Sequence, residues 1–483
     1  MKLLAKDIFG HKISVVGLIV LMAIGSIYLL ATSTVSTQVS LLGLAIIWLS
    51  LLPSLLYLQG TDRSPIPFFP IVGLFYLIFF GAPVFLTSFM PTRDGLLILY
   101  NKVTVPFIDT AALVIVLAAL VLLLLAFYGA KHLVFEQLKS LKIKGAEKSP
   151  AVNMLFWLLA IIHFFYEFVP LLQTIPSFGQ FAGPIIYVAM GGLFLQWNSG
   201  KLSNVQALAL AFIVVPLEIR IRGSEFLITP MLLLFLFMIL VLWRERKLKI
   251  VAGLVVASLC LISVYDLTSA LRTFPVQNIN MIKAISQFYV QGKDKLDFEN
   301  DRKFQVPYDR FVPLVHRISQ VWVFQTVVQS TPDKTPFWHG ESYKPLLTSF
   351  IPRALYPAKP KEQTGYKFGR KYGLLDQHNA PTTSINMPWI TEFYANFGLW
   401  GVLIGMSLIG LILAFLDKIF NADGMNNVEF VVGTTLIFPL VYPESNFSVM
   451  TGSMLLLFVS LFLYFRFGPK FIDAIIERLK TER

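Results

Sequence analysis

Long runs of apolar residues constrain this chain more than any other feature of its sequence. A helix that crosses the hydrocarbon core of a bilayer needs roughly 20 mainly apolar residues, and twelve candidate runs recur along the chain. They are centred near Ile19, Ile47, Leu77, Leu117, Leu159, Tyr187, Phe212, Phe235, Val256, Ile404, Thr435 and Leu457. Hydrophobic residues make up 56% of the 483 residues and charged residues only 14%. A water-soluble domain cannot bury that much apolar surface. The sequence therefore predicts an all-α polytopic membrane protein with about 12 transmembrane helices.

The distribution of Lys and Arg predicts how these helices are oriented. If the N-terminus lies inside, the short inside segments carry 20 Lys and Arg residues, and the short outside segments carry four. Short cytoplasmic loops are the ones enriched in Lys and Arg. The run from Ser14 to Ala31 is long enough to span and is followed by no clear cleavage pattern, so we expect a retained first helix. We predict a multi-pass protein of the bacterial inner (cytoplasmic) membrane with both termini cytoplasmic.

One long polar interval divides the chain into three predicted parts. Residues 1–267 form a membrane domain with about nine helices, residues 268–388 form an external, periplasmic domain that is partly helical, and residues 389–483 form about three helices and a basic cytoplasmic tail. About 120 residues without structure would be unusual in a compact protein, so we expect the external part to fold.

Composition also argues against several classes of site. The net charge of +12 would point to nucleic acid in a soluble protein. In a membrane protein it first reports orientation, and we predict no nucleic-acid partner. A single cysteine, Cys260, excludes a disulfide framework and a cysteine-based metal site. The six histidines lack the His-x-x-His and HExxH spacings. We therefore predict neither a metal nor a cofactor.

The external segment combines a helix with a stiff, basic loop. In "PLVHRISQVWVFQTVVQ", Leu314, Ile318, Val321, Phe324 and Val328 fall on one helical stripe, which we expect to pack on the membrane domain or lie at its interface. Further on, "SFIPRALYPAKP" holds Arg353 between Pro352 and Pro357. Proline fixes its own φ and restricts the residue before it. The alternative function for Arg353 is a pair with Glu341 or a helix cap.

Two stretches of this region resemble bacterial Wzy-type polysaccharide repeat-unit polymerases. The stretches are "RISQVWVFQTVVQSTPDKTPFWHGESYKPLLTSFIPRALYPAKP" and "TTSINMPWITEFYANFGLWGVLIGM". The shared pattern is an arginine that opens a helix, a Gly-x-x-Tyr, an Ile-Pro-Arg-x-Tyr/Trp-Pro-x-Lys-Pro run and a Thr-Glu-x-Tyr-x-Asn-Phe-Gly that leads into a span. The match covers about 80 residues and indicates the class of enzyme rather than the sugar.

The resemblance implies a membrane glycosyltransferase of the GT-C type. Its donor would be a growing glycan on undecaprenyl diphosphate, and its acceptor a single lipid-linked repeat unit, so that the substrate and the lipid bilayer are its main partners. The anomeric centre would invert, no metal would be obligatory, and a Wzz-type chain-length co-polymerase would be a further partner. By motif position the resemblance carries Arg353, Arg317 and Glu392 over as site residues.

The chemistry of such a transfer suggests further candidates. Fixed guanidinium groups can stabilise the negative charge of a leaving diphosphate, and the cations available for this are Arg220, Arg222, Arg317, Arg353 and Lys359. The hydroxyl needs a base or an orienting acceptor, for which Glu392, Glu341, His316 and His339 are available. Sugars can stack on Trp338, Tyr343, Tyr356 and Tyr394, although such aromatics also form interfacial belts.

Alternatives remain at two levels. For Arg222, an ion pair with Glu218 at i,i+4 is the structural alternative to binding diphosphate. For the whole protein, an O-antigen ligase would perform the same chemistry on a different acceptor. A lipid-linked oligosaccharide flippase or other transporter would more commonly show two similar halves and short outer loops, and this sequence shows neither.

Overall fold

The computed structural model describes most of the chain. Described are residues 11–59, 64–86, 92–93, 96–98, 104–105, 107–143, 151–175, 178–224, 315, 318–349, 351, 356, 358–359, 363–375, 384–421, 425–437 and 446–481. The predicted spans near Phe235 and Val256, and most of the first half of the external segment, lie outside these residues.

The first half of the described chain is a series of apolar helices. These are α1 (His11–Thr32), α2 (Thr37–Gln59), α3 (Phe68–Tyr76, extended by a π turn and a 3-10 turn to Phe85), α4 (Thr110–Gly129, followed by a π turn to Val134), α5 (Ala151–Phe168), α6 (Pro170–Gln173), α7 (Phe178–Ala182), α8 (Ile185–Asn198), α9 (Asn204–Ala209, followed by a π turn to Val214) and α10 (Val215–Ser224).

The second half contains the external segment and the last helices. They are α11 (Gln320–Ser330), a 3-10 turn (Glu341–Tyr343), α12 (Leu346–Ser349), α13 (Thr364–Lys371), α14 (Trp389–Phe420), α15 (Asn427–Thr434) and α16 (Phe447–Thr481).

Six of the described helices are long and apolar enough to cross a membrane. They cover Thr37–Gln59, Phe68–Phe85, Thr110–Val134, Ala151–Phe168, Trp389–Phe420 and Leu455–Arg478. Shorter apolar helices lie at Val16–Thr32, Ile185–Asn198 and Asn204–Glu218, where the sequence also predicts spans. The chain is therefore a multi-pass membrane protein. The total of twelve spans stays a prediction, since the span near Thr435 is described only to residue 437.

A small β-sheet is the one departure from the predicted all-α architecture among the described residues. The strands β1 (Thr92–Arg93), β2 (Leu96–Ile98) and β3 (Thr104–Val105) pair antiparallel in sequence order. They lie between α3 and α4, where the sequence predicts a simple outer loop. Strands of two or three residues are too short to produce a recognisable alternation of polar and apolar residues.

Polar contacts between connecting segments form two groups, one at each end of the bundle. At one end, Asn421 exchanges hydrogen bonds with the backbone of Ile66, at 2.7 and 2.8 Å, and Lys131 lies 2.6 Å from Asp417. At the other end, Gln325 accepts from the backbone N–H of Asp109 at 2.8 Å and donates to the carbonyl of Phe107 at 3.0 Å. Each of these pairs joins segments that the Lys and Arg distribution assigns to the same side.

The external segment packs on the membrane domain through α11. As the predicted stripe requires, Val321 and Phe324 are fully buried in the main core, and Ile318 and Val328 pack against it. The neighbouring face of α11 contributes Val323 and Val327 to a second, smaller core. The other members of this external core are Trp338, Phe368, Tyr372, Leu374, Met387 and Ala395. Since Ala395 belongs to α14, the external core is joined directly to the first turns of a helix long and apolar enough to span a membrane.

Candidate functional site

Glu392 lies in the first turn of α14, at the end of the bundle that carries the segment predicted to be external, and is fully buried. The hydroxyl of Ser342 donates to its Oε1 at 2.6 Å, and the backbone N–H of Phe447 donates to its Oε2 at 2.7 Å. One carboxylate thus joins the 3-10 turn of the external segment, α14 and the start of α16. A buried charge needs such hydrogen bonds.

Asn396, one turn further along α14, fixes the direction of this network. Its amide nitrogen donates to Ser342 Oγ at 2.8 Å and to the Glu392 carbonyl at 2.8 Å, and its Oδ1 accepts from the Gly340 N–H at 2.8 Å. Because Ser342 accepts from Asn396, its own hydroxyl proton is directed at Glu392. Hydrogen bonds in such chains strengthen one another.

A break in α14 at Gly398 frees the backbone carbonyl groups to which the external loop bonds. Gly398 has φ 63° and ψ −149°, a backbone conformation that only glycine adopts readily. The break releases carbonyl groups of the preceding turn from the regular helical pattern. The Ala395 carbonyl accepts from the Trp338 N–H at 3.0 Å, and the Asn396 carbonyl accepts from the His339 N–H at 3.2 Å. The N–H groups of Trp338, His339 and Gly340 therefore all bond to α14.

This docking exposes two titratable side chains. His339, at φ 48°, and Gly340, at φ 84°, both have left-handed backbone conformations. The side chains of His339 and Glu341 are exposed, while Ser342 between the loop and α14 is buried. An imidazole and a carboxylate are thus exposed to solvent on a loop whose backbone is hydrogen-bonded to α14. Both groups can accept a hydrogen bond from a hydroxyl.

The predicted sugar-stacking aromatics differ in exposure. Trp338 is buried in the external core with Lys371 Nζ 4.8 Å from its ring centroid. Tyr343 stacks on Phe397 with centroids 6.3 Å apart, and Tyr394 meets Phe324 edge-on at 5.8 Å. Burial, and then the negative charge of Glu392, raise the pKa of Tyr343, so its phenol stays protonated. Tyr343 and Tyr394 are half-buried, and Tyr356 is exposed.

The predicted diphosphate-binding cations are only partly visible. Arg317 and Arg353 lie outside the described residues. Lys359 donates from Nζ to the Ile351 carbonyl at 3.1 Å, which ties the two ends of the Ile351–Lys359 stretch together. Arg220 is exposed on α10, and that helix continues past Gly223 to Ser224. On a continuous helix, positions 220 and 222 lie about 200° apart around the axis.

A second buried polar pair lies between α5 and α10. His163 and Glu218 are both fully buried, with Nε2 and Oε2 2.9 Å apart, and His163 Nδ1 lies 2.8 Å from the Ala182 carbonyl. Because a carbonyl only accepts, Nδ1 carries a proton. The sequence suggested Arg222 as the partner of Glu218, and the structure shows that His163 is a partner.

A family comparison covers nearly the whole chain. The model of a domain of unknown function, DUF8712, matches residues 28–468. The chain belongs to the DUF8712 family. No curated protein and no solved structure matches the chain significantly. Within the described part of this DUF8712 protein, no group of three or more His, Cys, Asp or Glu side chains could hold a metal ion.

Three residues at the centre of this DUF8712 site were not identified as site residues from the sequence. They are Ser342, Asn396 and Gly398. A signal for the last two exists in "TEFYANFG", since a buried asparagine and a glycine are unfavourable within an apolar helix unless packing or hydrogen bonding requires them. Ser342 offers no such signal, because its partners lie 50 and 54 residues away.

Proposed function

We propose that this protein is a membrane glycosyltransferase that polymerises undecaprenyl-diphosphate-linked repeat units on the periplasmic face of the bacterial inner membrane. It would do so as a GT-C-type enzyme, without an obligatory metal and with a Wzz-type co-polymerase as a partner. The proposal rests on the resemblance to Wzy-type polymerases and on the arrangement of the outer end of the bundle.

One observation carries the proposal. The two stretches that resemble the polymerases are joined by hydrogen bonds between residues that lie 50 to 56 positions apart in the chain. Gly340 of the Gly-x-x-Tyr pattern donates to Asn396 of the Thr-Glu-x-Tyr-x-Asn-Phe-Gly pattern, and Ser342 lies between Asn396 and Glu392. Both His339 and Glu341 are exposed beside these bonds, at the end of the bundle that the charge pattern assigns to the periplasm and where the headgroup of a lipid-linked substrate would arrive.

The proposed reaction is a single displacement. An acceptor hydroxyl of one lipid-linked repeat unit attacks the anomeric carbon of the growing glycan, and the bond from that carbon to the diphosphate oxygen breaks with inversion. The electron pair leaves with the diphosphate, and the hydroxyl proton passes to a base. The products are a glycan one unit longer on the acceptor's carrier and a free carrier diphosphate.

The residues divide into two groups under this proposal. His339 and Glu341 are exposed and meet the hydroxyl, whereas buried Glu392 holds the loop that carries them and acts as a positioning residue. Arg317 and Arg353, with Lys359 and one of Arg220 and Arg222, would stabilise the diphosphate charge. Arginine suits this role because its planar fork matches phosphate oxygens.

Polymerisation by purified protein tests the proposal. Lipid-linked repeat units extracted from the host are incubated with the protein in nanodiscs, with and without a chelator. We expect a ladder of products in both reactions, and the Glu341→Gln variant should lose most of it. Asp333→Asn, which neutralises another exposed acid of the external segment, should retain it. No elongation by well-folded protein would contradict the proposed function. Full elongation by Glu341→Gln would contradict the role assigned to Glu341.

Variants of Arg353 test the diphosphate site separately. Arg353→Ala should lose elongation, and Arg353→Lys should restore only part of it, because lysine provides charge without the planar fork. A well-expressed, fully active Arg353→Ala variant would remove Arg353 from the mechanism.

A further inference from the structure

Three cations occupy one exposed face of α13. Lys367, Arg370 and Lys371 are spaced i, i+3 and i+4, which places them on one side of a helix, and all three are exposed. The opposite side carries Phe368 and, just after the last turn, Tyr372, both buried in the external core. We refer to the three cations as the basic face.

The packing of α13 makes this face rigid. Tyr372 shares a hydrogen bond with Thr331 at 2.9 Å between their hydroxyl oxygens. After α13, Gly373 has φ 68°, and the Leu374 N–H returns to the Gly369 carbonyl at 2.7 Å. This is a common way to close a helix C-terminus. The basic face therefore has a fixed position relative to the external core.

Helix stabilisation explains only part of the basic face. Cations in the last turn of a helix interact favourably with its dipole, and this accounts for Arg370 and Lys371. It does not account for Lys367, which lies in the middle of α13. The helix dipole also leaves one feature of Lys371 unexplained, which is that its ammonium lies over the ring of Trp338 rather than fully in solvent.

The basic face adjoins the candidate site through Trp338. Trp338 directly precedes His339 and donates its N–H to α14. Desolvation lowers the pKa of Lys371, and the negative charge of Glu341 acts in the opposite direction. The contact of the Lys371 ammonium with the Trp338 ring, at 4.8 Å from its centroid, places this cation beside the residue that precedes His339.

The external segment as a whole carries a net positive charge, as the basic face does. Residues 267–388 contain 16 Lys and Arg and nine Asp and Glu. Orientation does not require this excess, because long external segments cross the membrane largely regardless of charge. Among the described residues of the segment, the exposed cations are Lys334, Lys344, Lys367, Arg370 and Lys371, and the exposed acids are Asp333 and Glu341.

We propose that the basic face of α13 binds an acidic glycan chain, whose carboxylate or phosphate groups contact Lys367, Arg370 and Lys371. The identity of the occupant rests on the proposed function, because a glycan is the polymer that would pass this loop. Charge complementarity supplies the recognition, and the arginine fork suits a carboxylate. The inference narrows the substrate to repeat units that carry a negative charge.

Binding measured without catalysis tests this inference. The full-length protein in neutral phosphatidylcholine nanodiscs is titrated with oligogalacturonate as an acidic probe and with a maltooligosaccharide of equal length as a neutral probe. We expect binding of the acidic probe only, with affinity that falls as salt is raised. The K367Q/R370Q/K371Q variant should bind about ten-fold more weakly, since each exposed charge contributes modestly.

Matched variants separate a local site from general electrostatics. K334Q/K344Q removes two exposed cations elsewhere on the external segment and should change the affinity less than two-fold. K367R/K371R keeps the charges and should retain binding. All substituted side chains are exposed, so each variant should fold. The triple variant should unfold at a slightly lower temperature, because it loses the contact of Lys371 with Trp338 and two cations at the end of the helix.

Three outcomes would overturn the inference. They are equal affinity for the acidic and neutral probes, undiminished binding by the triple variant, and binding of soluble short-chain phosphatidylglycerol in place of oligogalacturonate. The last would assign the face to anionic lipid. None depends on glycosyl transfer, so a failed polymerisation assay and a failed binding assay remain distinguishable.

Discussion

At the scale of single residues, the Glu392 carboxylate is held from two sides by donors that the rest of the fold supplies. The sequence predicted that Glu392 belongs to the site, because the residue lies in a recognisable pattern at the start of a span. It did not predict burial or the partners, since Ser342 and Phe447 are 50 and 55 residues away. Contacts of that separation depend on how helices pack, which local patterns do not encode.

Substitutions of Glu392 and Ser342 should reveal this network in stability. Glu392→Gln places an amide N–H against a donor and should cost about 1–3 kcal/mol, and Ser342→Ala should cost about 1 kcal/mol. Thermal unfolding in detergent measures both. Ser407→Ala is the control, because its hydroxyl bonds only to the Leu403 carbonyl within α14. A Ser342→Ala variant as stable as Ser407→Ala would contradict the network.

The backbone of His339 makes a separate prediction. Its φ of 48° is uncommon for a residue with a side chain. His339→Gly should therefore be more stable than His339→Ala, by about 1 kcal/mol, while both variants lose the imidazole. If the imidazole meets the acceptor hydroxyl, both variants lose activity equally despite their different unfolding temperatures. Equal stability of the two would show that the loop relaxes out of this conformation.

At the scale of elements, the pattern of apolar residues predicts helix packing well, whereas the spacing of glycines predicts it poorly. The α11 stripe was predicted, and Val321 and Phe324 are buried as expected. In "GLWGVLIGMSLIG", the spacing of Gly401, Gly405 and Gly410 predicts one tight helix-packing face. Gly410 does face α4, where an added Cβ would lie 2.7 Å from Ala126 Cβ. Gly401 and Gly405 instead leave room for Phe393 of α14 itself. The sequence did not predict this arrangement, because it did not predict the break at Gly398.

The break in α14 should be sensitive to one methyl group. Gly398→Ala introduces a Cβ 3.1 Å from the Phe337 ring and forces a side chain into a glycine conformation, at a cost of about 1–3 kcal/mol. The loop N–H groups would lose their carbonyl partners if α14 straightened. We expect lower thermal stability and faster proteolysis of the 337–343 loop.

Gly129→Ala provides the matched control for that experiment. Gly129 ends α4 and an added Cβ there meets nothing within 4 Å, so alanine should be neutral or slightly stabilising. Identical behaviour of Gly398→Ala and Gly129→Ala would mean that the break does not need glycine.

At the scale of the whole molecule, the assignment of segments to the two sides of the membrane rests on the distribution of Lys and Arg and stays a prediction. Single-cysteine labelling tests it. In a Cys260→Ser background, exposed Lys344 and exposed Lys201 are replaced by cysteine in turn. A membrane-impermeant maleimide should label Lys344→Cys in intact spheroplasts and Lys201→Cys only after permeabilisation. The reverse pattern would invert the topology and place the candidate site in the cytoplasm.

The direction of chain growth tests the central claim most directly. Under the proposed reaction the whole glycan moves onto a new lipid-linked unit, so each new unit enters next to the carrier. Purified protein is supplied with unlabelled units, then briefly with isotopically labelled units, and the products are released from the carrier and digested from the non-reducing end. We predict a ladder whose label is released last. Label released first, transfer of a single block without a ladder, or movement of the substrate between leaflets without elongation would each contradict polymerisation by this protein.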